Sequence, residues 1–152
     1  MSLVNVQRVL SSFGEKVGLP GAEFSEEGYF ALSVDDFVLA IEVQESLDTV
    51  TFHIWIAEVE SSHRGEVALA LADANYLLAG SRGATLGMNR NSGDVALAAR
   101  TSASTLDLIR FELLVEKLVN LAEHWRNQVK ETAQRDEPPQ NSNSMRNFGI
   151  QV

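Results

Sequence analysis

Residues 67–89, VALALADANYLLAGSRGATLGMN, decide how this chain is read. At about 100° per residue on a helix, Val67, Leu71, Ala74 and Leu78 line one side. Leu69, Ala72 and Tyr76 gather on roughly the opposite side, flanked by Ala68 and Ala79. A helix that covers one core needs one apolar stripe. A second stripe asks for a second partner, and another copy of the chain is the expected one. The spacing therefore predicts a dimer seam at Leu69, Ala72 and Tyr76, with Val67, Leu71, Ala74 and Leu78 turned to the core. The competing reading lays the alanine-rich face against the chain's own last helix. Gly80 and Gly83 are expected to stop the helix, Gly80 as a left-handed cap, and a strand resumes over 84–89.

Upstream, Leu3, Val6, Leu10, Phe13 and Val17 repeat at 3-4 spacing and predict a helix over 2–17. Gly18, Leu19, Pro20 and Gly21 end it. Three alternating runs follow, over 29–34, 37–43 and 49–57, with short polar links at Asp35-Asp36 and 45–48. Phe30, Leu32 and Val34 share a face of the first, and Val50, Phe52, Ile54 and Ile56 a face of the third. Short links between successive strands read as an antiparallel meander. Downstream, 84–88 and 94–100 flank Asn89-Arg90-Asn91-Ser92-Gly93, a hairpin turn. Ser104 with Asp107 resembles a capping box. A long helix then carries Leu108, Phe111, Val115, Leu118, Ala122, Trp125 and Val129 along one seam, from packing across a sheet or from a coiled coil. The order α-β-β-β-α-β-β-α gives an α+β fold, a twisted, mainly antiparallel five-stranded sheet packed with helices. The domain is expected over 1–132. Residues 133–152, broken by Pro138-Pro139, read as a disordered tail whose apolar end holds Phe148, Ile150 and Val152.

The 152 residues suffice for one core without staples, and the absence of cysteine excludes disulfides and thiolate sites. With 21 acidic against 12 basic residues the net charge is −9, which argues against nucleic acid as a partner. No run approaches the roughly 20 apolar residues of a membrane span, and the opening MSLVNVQRVL lacks a signal-peptide pattern, so no membrane insertion is expected. Catalytic constellations are missing too. His53, His63 and His124 fall on different elements without metal-ligand spacing. Neighbouring Asp35 and Asp36 on a turn point apart, and Gly80–Gly83 follows a helix where a phosphate loop would open one. No catalytic, metal or cofactor residue is assigned. Trp55, with Val38 and Tyr29, is expected on the sheet face opposite the main apolar stripe, free as a contact surface or covered by a helix or a second subunit.

Several local motifs appear together in order. Leu10 and Phe13-Gly14 precede Gly18-Leu19-Pro20, and Glu27-Gly28 precedes a strand with Leu32 and Asp35. Ala74-Asn75-Tyr76-Leu77-Leu78 is followed by Gly80, Gly83 and Leu86, and the long last helix ends near Trp125. In this order, from Leu3 to about Val129, the chain resembles the class I type III secretion chaperones, the Tir-chaperone (CesT-like) family. The resemblance implies a homodimer in the bacterial cytoplasm, with no enzymatic activity and no cofactor. It implies an extended N-terminal segment of a secreted effector as partner, held partly by addition to a sheet edge, and the secretion ATPase as a further partner. Carried over by position, the effector-binding residues would be among Leu3, Val6, Leu10, Phe30, Leu32 and Trp55. The alternatives are a YbjN-like regulatory protein of the same fold, untied to secretion, and a small enzyme using carboxylates and His53.

Overall fold

A computed structural model describes residues 2–135. Helix α1 spans Ser2–Val17, followed by strands β1 (Tyr29–Val34), β2 (Phe37–Gln44) and β3 (Thr49–Glu58). Helix α2 (Arg64–Asn75) leads to β4 (Thr85–Met88) and β5 (Asp94–Ser102), and α3 (Leu108–Gln134) follows. The strands form one antiparallel sheet in the order β1-β2-β3-β5-β4: β1–β3 are the expected meander, β4 and β5 the expected hairpin, and β5 joins the two by pairing with β3. The tail prediction falls almost wholly outside the described residues; at its start, Ala133 and Gln134 belong to α3.

One sheet face is the core. Phe30, Ile41, Phe52 and Ala99 form one cross-strand row, and Leu32, Leu39, Ile54, Leu97 and Leu86 the next. A bulge between Trp55 and Ala57 shifts the register, so that Ile56 and Val59, three residues apart, are both buried. All three helices pack on this face. The Phe111 ring of α3 meets those of Phe13 on α1 and Phe52 on β3 at a tilt and edge-on, with centroids 5.0 Å and 5.5 Å away. The apolar seam of α3 is therefore explained by packing across the sheet and against α1 and α2, without a coiled coil.

Polar braces fix the corners. The Asp48 carboxylate, at φ 49° in the turn before β3, accepts from the hydroxyls of Ser2 (2.9 Å), Ser102 (2.7 Å) and Ser104 (2.7 Å). These hydroxyls, with the Ser104 N–H at 2.9 Å, hold its pKa down to about 2. Glu45 is lowered as well, first by the Leu3 N–H that it accepts at 2.9 Å. Ser104 is thus committed to Asp48, and the capping-box expectation is corrected: Asp107 itself caps α3, accepting from the Arg110 N–H at 2.8 Å. At the other end of α3, the Arg126 guanidinium lies 3.7 Å over the Phe37 ring and donates to the Ile56 and Asp36 carbonyls. Arg64 spans the 89–93 hairpin, donating to the carbonyls of Val59, Arg90, Asn91 and Ser92.

The passage out of α2 corrects two expectations. The helix ends at Asn75, and a short 3-10 turn follows in which Leu77 and Leu78 take positive φ, 51° and 59°. The chain swings outward there, so Leu78 is 54% exposed and is not core. Gly80 is not left-handed. A Cβ on it would stand 3.0 Å from both Cα and Cβ of Ala74, so close packing is what requires glycine. Of these two glycines it is Gly83 that has positive φ, 86°.

Candidate binding surfaces

The two ends of the sheet are finished differently. β4 is closed by α2: the Asn75 side-chain amide donates to the Leu86 carbonyl at 2.8 Å and its oxygen accepts from the Leu86 N–H at 3.0 Å. Ala84 N–H, next along that edge, donates to Ser81 O. β1 is the other edge. In its two-residue hairpin with β2, Val34 pairs with Phe37, so the backbone groups of Tyr29, Ala31 and Ser33 point away from β2. Those of Tyr29 are met by Ser25, whose N–H donates to the Tyr29 carbonyl and whose hydroxyl accepts from the Tyr29 N–H. Those of Ala31 and Ser33 have no outward partner among the described residues.

Beside these two residues lies a groove of about 380 Å³, lined by Leu19, Pro20, Ala22, Phe30 and Leu32. The Leu19 N–H donates to Gly14 O at 2.7 Å, and a Cβ on Gly14 would press into the Leu19 carbonyl, so the Phe13-Gly14 and Gly18-Leu19-Pro20 motifs set the groove wall. Gln7 ties the segment to α1, donating to Ala22 O and accepting from the Phe24 N–H. An edge with free backbone donors and acceptors beside an apolar trough suits an extended peptide.

The six residues carried over as effector contacts separate. Phe30 and Leu32 line this groove, half-buried. Val6 and Leu10 are wholly buried in the core and have no surface to offer, because α1 presses that stripe against the sheet and α3. Leu3 is half-buried near the Asp48 brace, on the opposite end of α1 from the groove wall. Trp55 stands with Val38 and Tyr29 on the sheet face that carries no helix, 44% exposed. His53 is on that face too, its Nε2 4.0 Å from Glu42 Oε2.

On α2, Val67, Leu71 and Ala74 are buried, whereas Leu69 and Tyr76 are 73% and 70% exposed and Ala72 is exposed. The alanine-rich face therefore does not meet α3. With Leu77 and Leu78 it forms an apolar surface larger than the sequence suggested, because the kink after Asn75 turns both leucines outward. A surface that sequence reasoning missed is a hollow joining Arg82, Lys117 and His124. These residues come from two elements, and no spacing rule relates them. Among the described residues no group of His, Asp or Glu is placed to hold a metal ion, and no helix is long and apolar enough to cross a membrane.

The α+β domain thus combines a single antiparallel sheet, one open edge and an uncovered apolar helix face. The Tir chaperone protein (CesT) family model matches residues 8–126, and the chain belongs to that family. No curated protein matches it by sequence. Among solved structures, a chain of the ExsC–ExsE complex is similar at 25% identity and TM-score 0.73, over 84% of this chain and 95% of that one. A chain of the HopA1–SchA chaperone–effector complex is similar at 20% identity and TM-score 0.68, over 84% and 97%. YbjN, a putative transcription regulator from E. coli, shares the fold at 18% identity and TM-score 0.58, over 82% and 90%.

Proposed function

We propose that this chain is a type III secretion chaperone of the bacterial cytosol, which binds the N-terminal chaperone-binding segment of a secreted effector and keeps it soluble and unfolded. The observation that carries this reading is the unpaired backbone of Ala31 and Ser33 beside the apolar groove. The segment adds as a strand along β1: backbone hydrogen bonds supply affinity, and Phe30, Leu32, Leu19 and Ala22 select its alternate side chains. Family membership supports the chaperone role, and the similar chaperone–effector complex supports a bound polypeptide as the ligand. The chain works as a homodimer through Leu69, Ala72 and Tyr76, and it presents the effector to the secretion ATPase without catalysing a reaction. No specific feature of the site favours the YbjN-like regulatory reading.

The test is purification of the full chain from its native bacterium, identification of the bound polypeptide, and measurement of that polypeptide's export with and without the chaperone. A stoichiometric partner whose export depends on the chain is expected, with binding confined to its N-terminal segment. A chain that carries no exported polypeptide, or whose loss leaves export unchanged, would overturn the reading in favour of a regulator outside secretion.

A further inference from the structure

The groove beside β1 is the first of three hollows in sequence. A second, of about 330 Å³, lies between α1, α3 and the end of β1, lined by Phe13, Val17, Val34, Val115 and Val119. The two approach each other at the end of β1, where Ser33 lines one and Val34 the other. Asn120 on α3 belongs both to this second groove and to a third hollow, also about 330 Å³, on the side of α3 that faces α2.

The third hollow differs in chemistry. Lys117, Asn120 and His124 stand at i, i+3 and i+7 along α3. Arg82 joins them from the loop after α2, held at φ 51° with its N–H donating to Leu78 O at 2.9 Å. The loop is fixed by Gly80 and Ser81 N–H groups, both donating to Ala74 O at 3.0 Å, and by Trp125 Nε1 donating to Gly80 O at 3.2 Å. Lys117 Nζ lies against the same loop, 3.8 Å from where a Cβ on Gly83 would be. Neither Arg82 nor Lys117 is paired with a carboxylate among the described residues. Glu116, adjacent in sequence, lines the apolar groove instead. In a chain with 21 acidic and 12 basic residues, two cations without a carboxylate partner line one hollow and make it a place that favours negative charge.

We propose that this hollow receives carboxylate side chains of the bound effector segment, so that the recognised sequence is apolar along β1 and α1 and acidic where it crosses Asn120. The inference rests on the proposed function and adds the chemistry of the partner. Arg82 offers a planar donor fork and Lys117 a point charge, which together match closely spaced Asp and Glu side chains. The Asn120 amide, at the junction, donates to the passing backbone or to the first carboxylate.

Two synthetic peptides test it, sharing an alternating Val/Ser half and differing in the other half, Glu/Asp-rich in one and Gln/Asn-rich in the other. Each is titrated into the isotope-labelled full chain while amide resonances are followed. The acidic peptide is expected to shift Arg82, Asn120 and His124 together with Val34 and Val119, and to bind about fivefold to tenfold tighter than its neutral counterpart. The advantage should shrink in high salt and vanish in the Arg82→Glu/Lys117→Glu variant, whose exposed substitutions leave the melting temperature unchanged. If both peptides shift Val34 and Val119 equally and neither reaches Arg82, the acidic extension is wrong while effector binding stands. An acidic advantage that survives the double variant overturns it as well. If neither peptide moves any groove resonance, both the extension and the edge-binding reading fall.

Discussion

Asn75 closes the edge of β4 with one side chain, and its replacement should show what that closure is worth. Asn75→Ala leaves both the N–H and the carbonyl of Leu86 without their partner, at a cost of about 1–3 kcal/mol. Asn75→Asp keeps the acceptor but sets a carboxylate oxygen against the Leu86 carbonyl, and should cost at least as much at neutral pH. Urea unfolding of the three proteins checks this; a wild-type midpoint in Asn75→Ala would refute the edge-closing role. Asp48 makes a separate prediction. Its carboxyl titrates near 3.8 unfolded and at about 2 in the fold, so its contribution is present above about pH 4 and is lost as pH falls toward 2. The gap between the wild-type and Asp48→Asn unfolding midpoints should therefore close over that interval. A gap that stays constant to pH 2 would mean that the serine hydroxyls do not set this pKa. The motif at 74–86 is legible at this scale only as a pattern. That Asn75 is a surrogate strand and Gly80 a packing site depends on the chain doubling back, which spacing does not encode.

At the scale of elements, α2 is short and apolar on both sides, and only one side is used within the subunit. A carboxylate placed on the second side would be buried without a partner in a dimer and solvated in a monomer. Leu69→Asp and Tyr76→Asp should thus convert a dimer to monomers, costing several kcal/mol of association. The subunit fold should survive, because both side chains are exposed within it. Sedimentation velocity with circular dichroism separates the two effects; dimers in both variants would remove this face as the seam. The elements themselves were largely readable. Alternation placed β1 through β3 because each strand has one buried and one open face, and 3-4 spacing placed α1 and α3. The end of α2 was not readable, since leucine is an uncommon residue at positive φ. Periodicity carried the helix three residues too far and put Leu78 in the core. The same limit explains Val6 and Leu10: position on α1 could not tell a core stripe from a contact stripe, because both are apolar.

For the whole molecule, the asymmetry of the sheet is the feature with functional content. One edge is sealed by a side chain and a turn, and the other keeps two residues unpaired beside an apolar trough. Exposed edges invite aggregation, and folded proteins ordinarily block them. Keeping one open beside a built groove therefore favours a ligand that completes the sheet. Ser33→Pro isolates this property. The Ser33 N–H points away from β2, so proline removes a donor that the fold does not use, at a strand edge where proline is tolerated. Leu32→Pro is the control, because Leu32 faces Leu39 at a hydrogen-bonded position of the ladder and proline there breaks the β1–β2 pairing. Ser33→Pro should leave the melting temperature within a few degrees of wild type and lower affinity for the effector segment about fivefold to tenfold, the loss of one net backbone hydrogen bond plus a steric term. Leu32→Pro should lower both stability and binding. Unchanged affinity in Ser33→Pro, measured by fluorescence anisotropy with the segment identified by co-purification, would show that the client does not add to β1. The apolar groove lined by Phe30 and Leu32 would then have to hold it through side chains alone.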